Sequence, residues 1–109
     1  MARLQVPPLP DLPSAAAALF HAEMMAQAAG LLSQADCLTL IFPPADHTHR
    51  AWRLAVVQAL AREHAPARIN AVAGGSGAAV VATLAYLEAA DGLTGQYLPL
   101  DDAGAGAVV

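Results

Sequence analysis

One stretch, residues 68–78, constrains the fold more than any other part of the chain. It reads RINAVAGGSGA, so a short run of β-type residues meets a glycine cluster at Gly74-Gly75-Ser76-Gly77. A helix-type run begins directly after the cluster. This order predicts a strand, a tight turn and a helix that packs back on the sheet to which the strand belongs.

The rest of the chain continues this alternation. Cys37–Phe42 is an uninterrupted apolar run that ends at Pro43-Pro44, which is typical of a strand buried on both faces of a parallel sheet. We predict further strands at Arg3–Val6 (an edge strand), Ile69–Ala73 and Gln96–Leu100, and helices at Ser14–Gln34, Ala51–His64 and Ser76–Ala90. The pattern predicts one α/β domain over residues 1–109. We expect a Rossmann-like, three-layer half domain whose mostly parallel sheet has about four strands and about three helices.

Local signals predict where these elements begin and end. Ser14 is expected to cap the first helix, and Asp46 or Thr48 to cap the second. Gly92 is expected to be the C-cap of the third helix. The last strand is expected to close at Asp101-Asp102, before a small, flexible tail.

The second helix carries apolar residues on two sides. Trp52, Val56 and Leu60 form one stripe, and Leu54, Val57 and Ala61 form another. A helix with two apolar sides needs two surfaces against which to bury them. We expect the sheet to cover one, and a neighbouring helix or another subunit to cover the other.

Composition limits the possible function classes. Hydrophobic residues make up 57% of the chain and charged residues 13%, which predicts that some apolar surface is buried against a partner. The net charge is −4 and the five basic residues are scattered arginines, so we expect no nucleic-acid binding. Cys37 is the single cysteine, which fits a reducing compartment. Residues 1–13 lack the apolar segment of a signal peptide. Glycines interrupt the uncharged run Ile69–Leu87, so this run is not expected to be one membrane-spanning helix. We therefore expect no membrane span and a cytoplasmic location.

The order of motifs from about Cys37 to Asp101 resembles the C-terminal half of a short-chain dehydrogenase/reductase. Leu60–Pro66, followed by Arg68–Val72, resembles that family's helix end and its R-V-N-A-V strand. Ala85-Tyr86-Leu87 before Leu93–Gln96 resembles its YL and TGQ stretch ahead of the final strand. The resemblance implies a Rossmann-like fold with a parallel sheet.

The chain departs from the resembled family at the positions that carry chemistry. The family's active site pairs a Tyr and a Lys in a Tyr-x-x-x-Lys motif, helped by a Ser. Counting back from Pro66 places Asp46 at the Tyr and Arg50 at the Lys, and Pro43-Pro44 lies where the Ser is sought. Because Asp is no phenol acid and Arg keeps its proton, the comparison implies a reduced, non-catalytic relative. The chain has no room for the family's N-terminal half, which holds the dinucleotide, so we expect no cofactor and no NAD(P) binding.

Two short segments are candidate sites. Gly74, Gly75, Ser76 and Gly77 are expected to leave uncapped N–H groups at a helix start, which suits a phosphate or another anion, although a tight turn needs the same glycines. Asp46-His47-Thr48-His49 offers two imidazoles and a carboxylate, but no further metal ligand is evident, so we interpret it as a capped helix start. Cys37 is interpreted as a small buried hydrophobe.

Three functions fit these observations. The first is a homo-oligomeric structural or interaction module. The second is a binder of a phosphate or nucleotide fragment at the Gly74–Gly77 turn, and the third is an oxidoreductase subunit completed by another chain. We expect a homodimer through helices 14–34 and 51–64, which pair with their copies in the resembled family. The last helix with the strand Gln96–Leu100 is the rival contact, and an exposed strand edge blunted by Pro7 and Pro8 is a third.

Overall fold

A computed structural model of the protein describes residues 1–100, and within that range the chain forms a four-stranded, all-parallel sheet. The strands are β1 (Ala2–Gln5), β2 (Cys37–Phe42), β3 (Arg68–Gly74) and β4 (Tyr97–Leu100), and they lie in this order across the sheet. The predicted α/β class, the parallel sheet and the edge position of β1 are confirmed. The expectations for Asp101-Asp102 and for the tail lie outside the described residues.

The helices are α1 (Pro13–Glu23), α2 (Met25–Leu32), α3 (Arg50–Glu63) and α4 (Gly77–Ala89). The prediction of one helix over Ser14–Gln34 is wrong, because α1 and α2 meet at a 46° bend at Met24. Buried residues recur every fourth position there, at Phe20, Met24, Ala28 and Leu32. A straight helix turns such a stripe by about 40° at each step, and the bend returns it to the sheet.

The two faces of the sheet are covered unequally. α1, α2 and α3 lie on one face and bury the larger core, which includes Phe20, Leu40, Phe42, Val57, Leu60 and Ile69. α4 lies on the other face and buries a smaller cluster with Val72, Leu84 and Leu87. Among residues 1–100, therefore, three helices cover one face and one helix covers the other.

Both apolar stripes of α3 pack inside the chain. Val56, Val57 and Leu60 are buried, while Trp52, Leu54 and Ala61 are partly buried against the same core. α3 contacts β3, β4 and α1, so it is surrounded on more than one side. Of the two coverings expected for the second stripe, a neighbouring helix or another subunit, the structure shows the first, because α1 contacts α3 and Val57 has no exposed surface.

The capping predictions had mixed outcomes. Asp46 caps the turn at His47–His49 that precedes α3, as expected. Leu12, and not Ser14, is the N-cap of α1, because Pro13 already occupies the first turn. Ala90, and not Gly92, is the C-cap of α4, and the turn that follows is closed by a hydrogen bond from Leu93 N–H to the Ala90 carbonyl.

Among residues 1–100, no single helix has the length and hydropathy of a membrane span, although α1 and α2 taken together pass that test across their bend.

Candidate functional site

The glycine turn joins β3 to α4 in the conformation that its residues predict. Gly74 and Gly75 have φ angles of 72° and 78°, in the left-handed region that favours glycine. A Cβ atom at Gly74 would lie 3.4 Å from the Leu100 carbonyl oxygen and 3.7 Å from the Pro44 Cα. A side chain at Gly74 would therefore make ordinary van der Waals contacts with the end of β4 and with Pro44.

Ser76 caps the helix that follows the turn. Its Oγ accepts a hydrogen bond of 3.2 Å from Ala79 N–H, and its carbonyl accepts one of 3.0 Å from Val80 N–H. The expectation of an uncapped helix start is therefore wrong for Ala79 N–H, whereas Val80 N–H makes the ordinary first hydrogen bond of the helix. The N–H groups of Gly77 and Ala78 have no hydrogen-bond partner within residues 1–100.

The turn borders an open groove of about 630 Å³ on the α4 face of the sheet. The groove lies at the carboxyl ends of β1, β2 and β3, which is where open parallel sheets hold ligands. Three of the four predicted site residues line it, Gly74, Gly75 and Gly77, whereas Ser76 does not. Its other lining residues are Gln5, Val6, Pro7, Pro8, Ile41, Phe42, Pro43, Pro44, Val80, Val81 and Leu84.

Asp46 and Arg50 share a pocket of about 220 Å³ with His47 and the strand residues Tyr97 and Pro99. Asp46 Oδ1 accepts hydrogen bonds from the backbone N–H of Thr48, at 2.9 Å, and from the Thr48 hydroxyl. These two bonds, the hydroxyl first, hold the pKa of the Asp46 carboxyl below its ordinary value. Asp46 is thus an ionised acceptor at neutral pH, with no proton to give to a substrate.

The two histidines of this segment lie in different environments. His49 is buried and its Nδ1 accepts a hydrogen bond of 3.0 Å from Trp52 Nε1, which can only donate. Its Nε2 therefore carries the proton and donates it to the Asp11 carbonyl at 2.8 Å. His47 is exposed. Within residues 1–100 no three His, Cys, Asp or Glu side chains come close enough together to hold a metal ion.

Arg53 is the residue of greatest functional interest, and sequence reasoning missed it. It is 1% exposed, and its Nη1 donates hydrogen bonds to the Pro43 carbonyl at 2.9 Å and to the Tyr97 hydroxyl at 3.2 Å. The guanidinium lies over the Phe42 ring, with Cζ 4.6 Å from the ring centroid. A signal was present, because position 53 stands three, four and seven residues before the buried positions 56, 57 and 60.

Arg53 forms part of the wall of a third depression, of about 430 Å³, on the opposite side of Pro43-Pro44 from the glycine groove. The remaining wall residues are Pro8, Leu9, Pro10, Asp11, Pro43, Pro44, Ala45, Asp46 and His49. The carboxyl edge of the sheet therefore carries one groove bordered by glycines and one pocket bordered by a buried cation.

Cys37 is buried, as predicted. Burial is the main reason why the pKa of its thiol lies above the ordinary value. A thiol that resists deprotonation is a poor nucleophile, which agrees with the interpretation of Cys37 as a core residue.

The family model described as SDR-like, short chain dehydrogenase-like protein, matches residues 4–100 of the chain. A search of curated proteins and a search of solved structures found no match. The match confirms the resemblance inferred from the motifs and extends it toward the N-terminus, over β1 and α1.

Proposed function

Because the chain belongs to the short chain dehydrogenase-like family and carries Asp46 and Arg50 where that family's catalytic Tyr and Lys are expected, we propose that it is a non-catalytic member that acts as an interaction module. The observation that carries this proposal is the state of Asp46. Its carboxylate is held by Thr48 and its pKa is lowered, so it does not supply the proton that a carbonyl reduction needs. Arg50 keeps its charge at all ordinary pH values and cannot act as a general base.

The first experiment measures oxidation of NADH and NADPH by the purified chain with a broad panel of ketones and aldehydes. We expect no protein-dependent turnover. The double variant Asp46→Asn/Arg50→Gln is the control, because turnover by a contaminating dehydrogenase persists in it. Turnover by the natural chain that disappears in the double variant would overturn the proposal.

For the interaction itself, we propose a homodimer through α4 and β4. The exposed side chains of α4 are apolar except for the hydroxyl group of Tyr86. The exposed residues are Gly77, Ala78, Val81, Ala82, Ala85, Tyr86 and Ala89. Val81 and Tyr86 are 65% and 62% exposed, which is unusual for side chains of that size. The one charged residue of α4, Glu88, is bound to Arg3 and lies outside this set.

The contact through helices 14–34 and 51–64 remains the alternative. Its exposed residues on α3 include Gln58, Arg62 and Glu63, and Val57 is buried. An exposed surface with several charged or polar side chains needs a partner less than an apolar one does. The burial pattern therefore favours the α4 surface over the one that the sequence suggested.

The groove bordered by the glycine turn supports a second candidate, a binder of a phosphate or nucleotide fragment. The amide groups of Gly77 and Ala78 lie at a helix N-terminus beside that groove, and such donors favour negative charge. Thermal-shift measurements with phosphate, AMP, NAD and NADP test this candidate. Stabilisation by AMP or phosphate alone would support it, stabilisation by the whole dinucleotide would support an oxidoreductase subunit, and no effect leaves the interaction module.

A further inference from the structure

Within residues 1–100, the buried guanidinium of Arg53 has no negative partner of the kind that a buried cation ordinarily has. The ion pairs found within residues 1–100 are Arg3 with Glu88 and Arg68 with Asp91, and neither involves Arg53. A charge held away from water without an opposite charge is unfavourable, so proteins retain one where it is paired or where it serves a ligand. The rings of Phe42 and Trp52, at 4.6 and 5.6 Å from Cζ, offset that cost only in part.

The unused hydrogen-bonding capacity of Arg53 lies on one side of the guanidinium. Nη1 is occupied by Pro43 and Tyr97. Nε is buried and has no partner within residues 1–100, and Nη2 makes no hydrogen bond there either. The free Nε and Nη2 form the edge of the fork that binds a carboxylate or a phosphate through two parallel bonds.

The pocket that Arg53 borders is suited to a small ligand. Its volume is about 430 Å³, within the range of small-molecule sites. Pro8, Pro10, Pro43 and Pro44 in its wall fix the backbone and contribute no N–H groups of their own. The Nε2 proton of His49 is already donated to Asp11, so Arg53 is the cationic donor that remains to receive an anion.

Two carboxylates also border the pocket, and they restrict the kind of anion. Asp11 and Asp46 are exposed, so solvent screens their charges, and Asp46 is bound to Thr48. A ligand with a hydroxyl or ammonium group beside its anionic group can donate to these carboxylates. An inorganic anion that carries no hydroxyl group, such as sulfate or chloride, cannot.

From these observations we propose that Arg53 is the anchor of a binding site for a small organic anion, a carboxylate or a phosphate monoester that also carries a hydrogen-bond donor. The anionic group binds Nε and Nη2 of Arg53, and the donor faces Asp11 or Asp46. The site lies across Pro43-Pro44 from the glycine turn, and the proposal does not depend on whether the chain assembles or catalyses a reaction.

The test uses the Nε–Hε NMR signal of Arg53 in the natural chain, because that proton lies at the proposed contact. The probes, at constant ionic strength, are malate, glycerol 3-phosphate, inorganic phosphate and the neutral compound glycerol. We expect saturable movement of the signal by malate or glycerol 3-phosphate with a dissociation constant below ~1 mM. Which of the two binds more tightly identifies the anionic group, and glycerol should have no effect.

The variant Arg53→Met separates binding from a structural role, since it replaces a buried charge with an apolar side chain of similar length. The loss of the hydrogen bonds to Pro43 and Tyr97 opposes the gain from removing an unpaired buried charge, so we expect Arg53→Met to remain folded and to lose binding. Arg62→Met changes an exposed arginine of the same helix and should leave binding intact.

Three results would overturn the proposal. The first is a signal that no anion moves, the second is saturation only far above millimolar concentration, and the third is equal binding by Arg53→Met. If Arg53→Met does not fold, the titration of the natural chain still decides between binding and no binding.

Discussion

Arg68 and Asn70 hold the loop between α4 and β4 in place, and this explains why the segment around them is recognisable in sequence. Arg68 Nη1 donates to the carbonyls of Leu87 and Ala90 at the end of α4, at 3.2 and 2.7 Å. Buried Asn70 donates to the Leu93 carbonyl and accepts from Gln96 N–H. These residues act on the backbone of the fold, so their presence indicates the family without indicating its chemistry.

At the same scale, Gly74→Ala should lower the free energy of unfolding by about 1–3 kcal/mol, because alanine is strained at a φ of 72°. The added Cβ makes ordinary van der Waals contacts at 3.4 Å or more, so backbone strain is the source of the loss. Urea unfolding followed by circular dichroism measures it.

Gly30→Ala is the matched control for that change. Gly30 lies inside α2, and apart from its chain neighbours and the adjacent helix backbone no atom of residues 1–100 lies within 4 Å of its added Cβ. Alanine favours a helix over glycine by up to about 1 kcal/mol. The same substitution should therefore stabilise the chain at one glycine and destabilise it at the other. Equal effects at both positions would contradict the assigned turn.

Among site residues, those that act through the backbone were predictable and those that act through tertiary contacts were not. The glycine turn and the Asp46 cap follow from local preferences for φ and for capping, which the sequence displays directly. The burial of Arg53 depends on contacts with Phe42, Pro43 and Tyr97, which are distant from it in sequence. No local pattern reveals whether such a residue meets water, a carboxylate or an aromatic ring.

At the scale of elements, the positions of β2 and β3 were predicted well because each is a short, mostly apolar run that ends at proline or glycine. Helix breaks were predicted less well. The bend at Met24 has no proline or glycine to announce it, and it is explained by the four-residue spacing of the buried side chains that meet the sheet. The burial of the Val57 side chain likewise depends on α1 and β4, which flank α3 in the folded chain. The sequence of α3 alone does not show these neighbours.

The edge strand β1 is tied to α4 by one bidentate ion pair. Arg3 donates from Nε and Nη2 to the two carboxylate oxygens of Glu88, at 2.7 and 2.9 Å. The hydrogen bonds from Arg3 are the main cause of the lowered pKa of Glu88. Because the folded-state pKa is lower than the unfolded one, the pair stabilises the fold above the ordinary value of 4.5 and loses its effect as the pH falls through the folded-state pKa.

We therefore expect Glu88→Gln to reduce the urea midpoint at neutral pH and to have progressively less effect as the pH falls below that ordinary value. Glu63→Gln, on α3, is the control, since Glu63 forms no ion pair within residues 1–100 and its substitution should have little effect at either pH. A loss for Glu88→Gln that is independent of pH would show that packing, and not charge, links β1 to α4.

At the scale of the whole molecule, the unequal covering of the sheet is the basis of the proposed contact through α4. Within residues 1–100, three helices bury one face, whereas α4 alone covers the other and leaves an apolar groove between itself and the end of β1. The resemblance to a known family indicated the layers, but it directed attention to the α1, α2 and α3 surface. The distribution of exposed apolar area, which only the folded chain provides, directs it to α4.

The proposed homodimer leads to a prediction in two steps. Sedimentation equilibrium at tens of micromolar should give a dimer, and Val81→Glu should convert it to a monomer, because a charge would enter an apolar contact at a position that is 65% exposed in the single chain. The matched control is Ala55→Glu, which places the same charge on an exposed position of α3. Both positions lie on helix surfaces, so neither change should disturb the core, and circular dichroism verifies that each variant folds. If Ala55→Glu dissociates the dimer and Val81→Glu does not, the contact lies on the side of α1, α2 and α3. If the natural chain sediments as a monomer, neither surface forms a dimer.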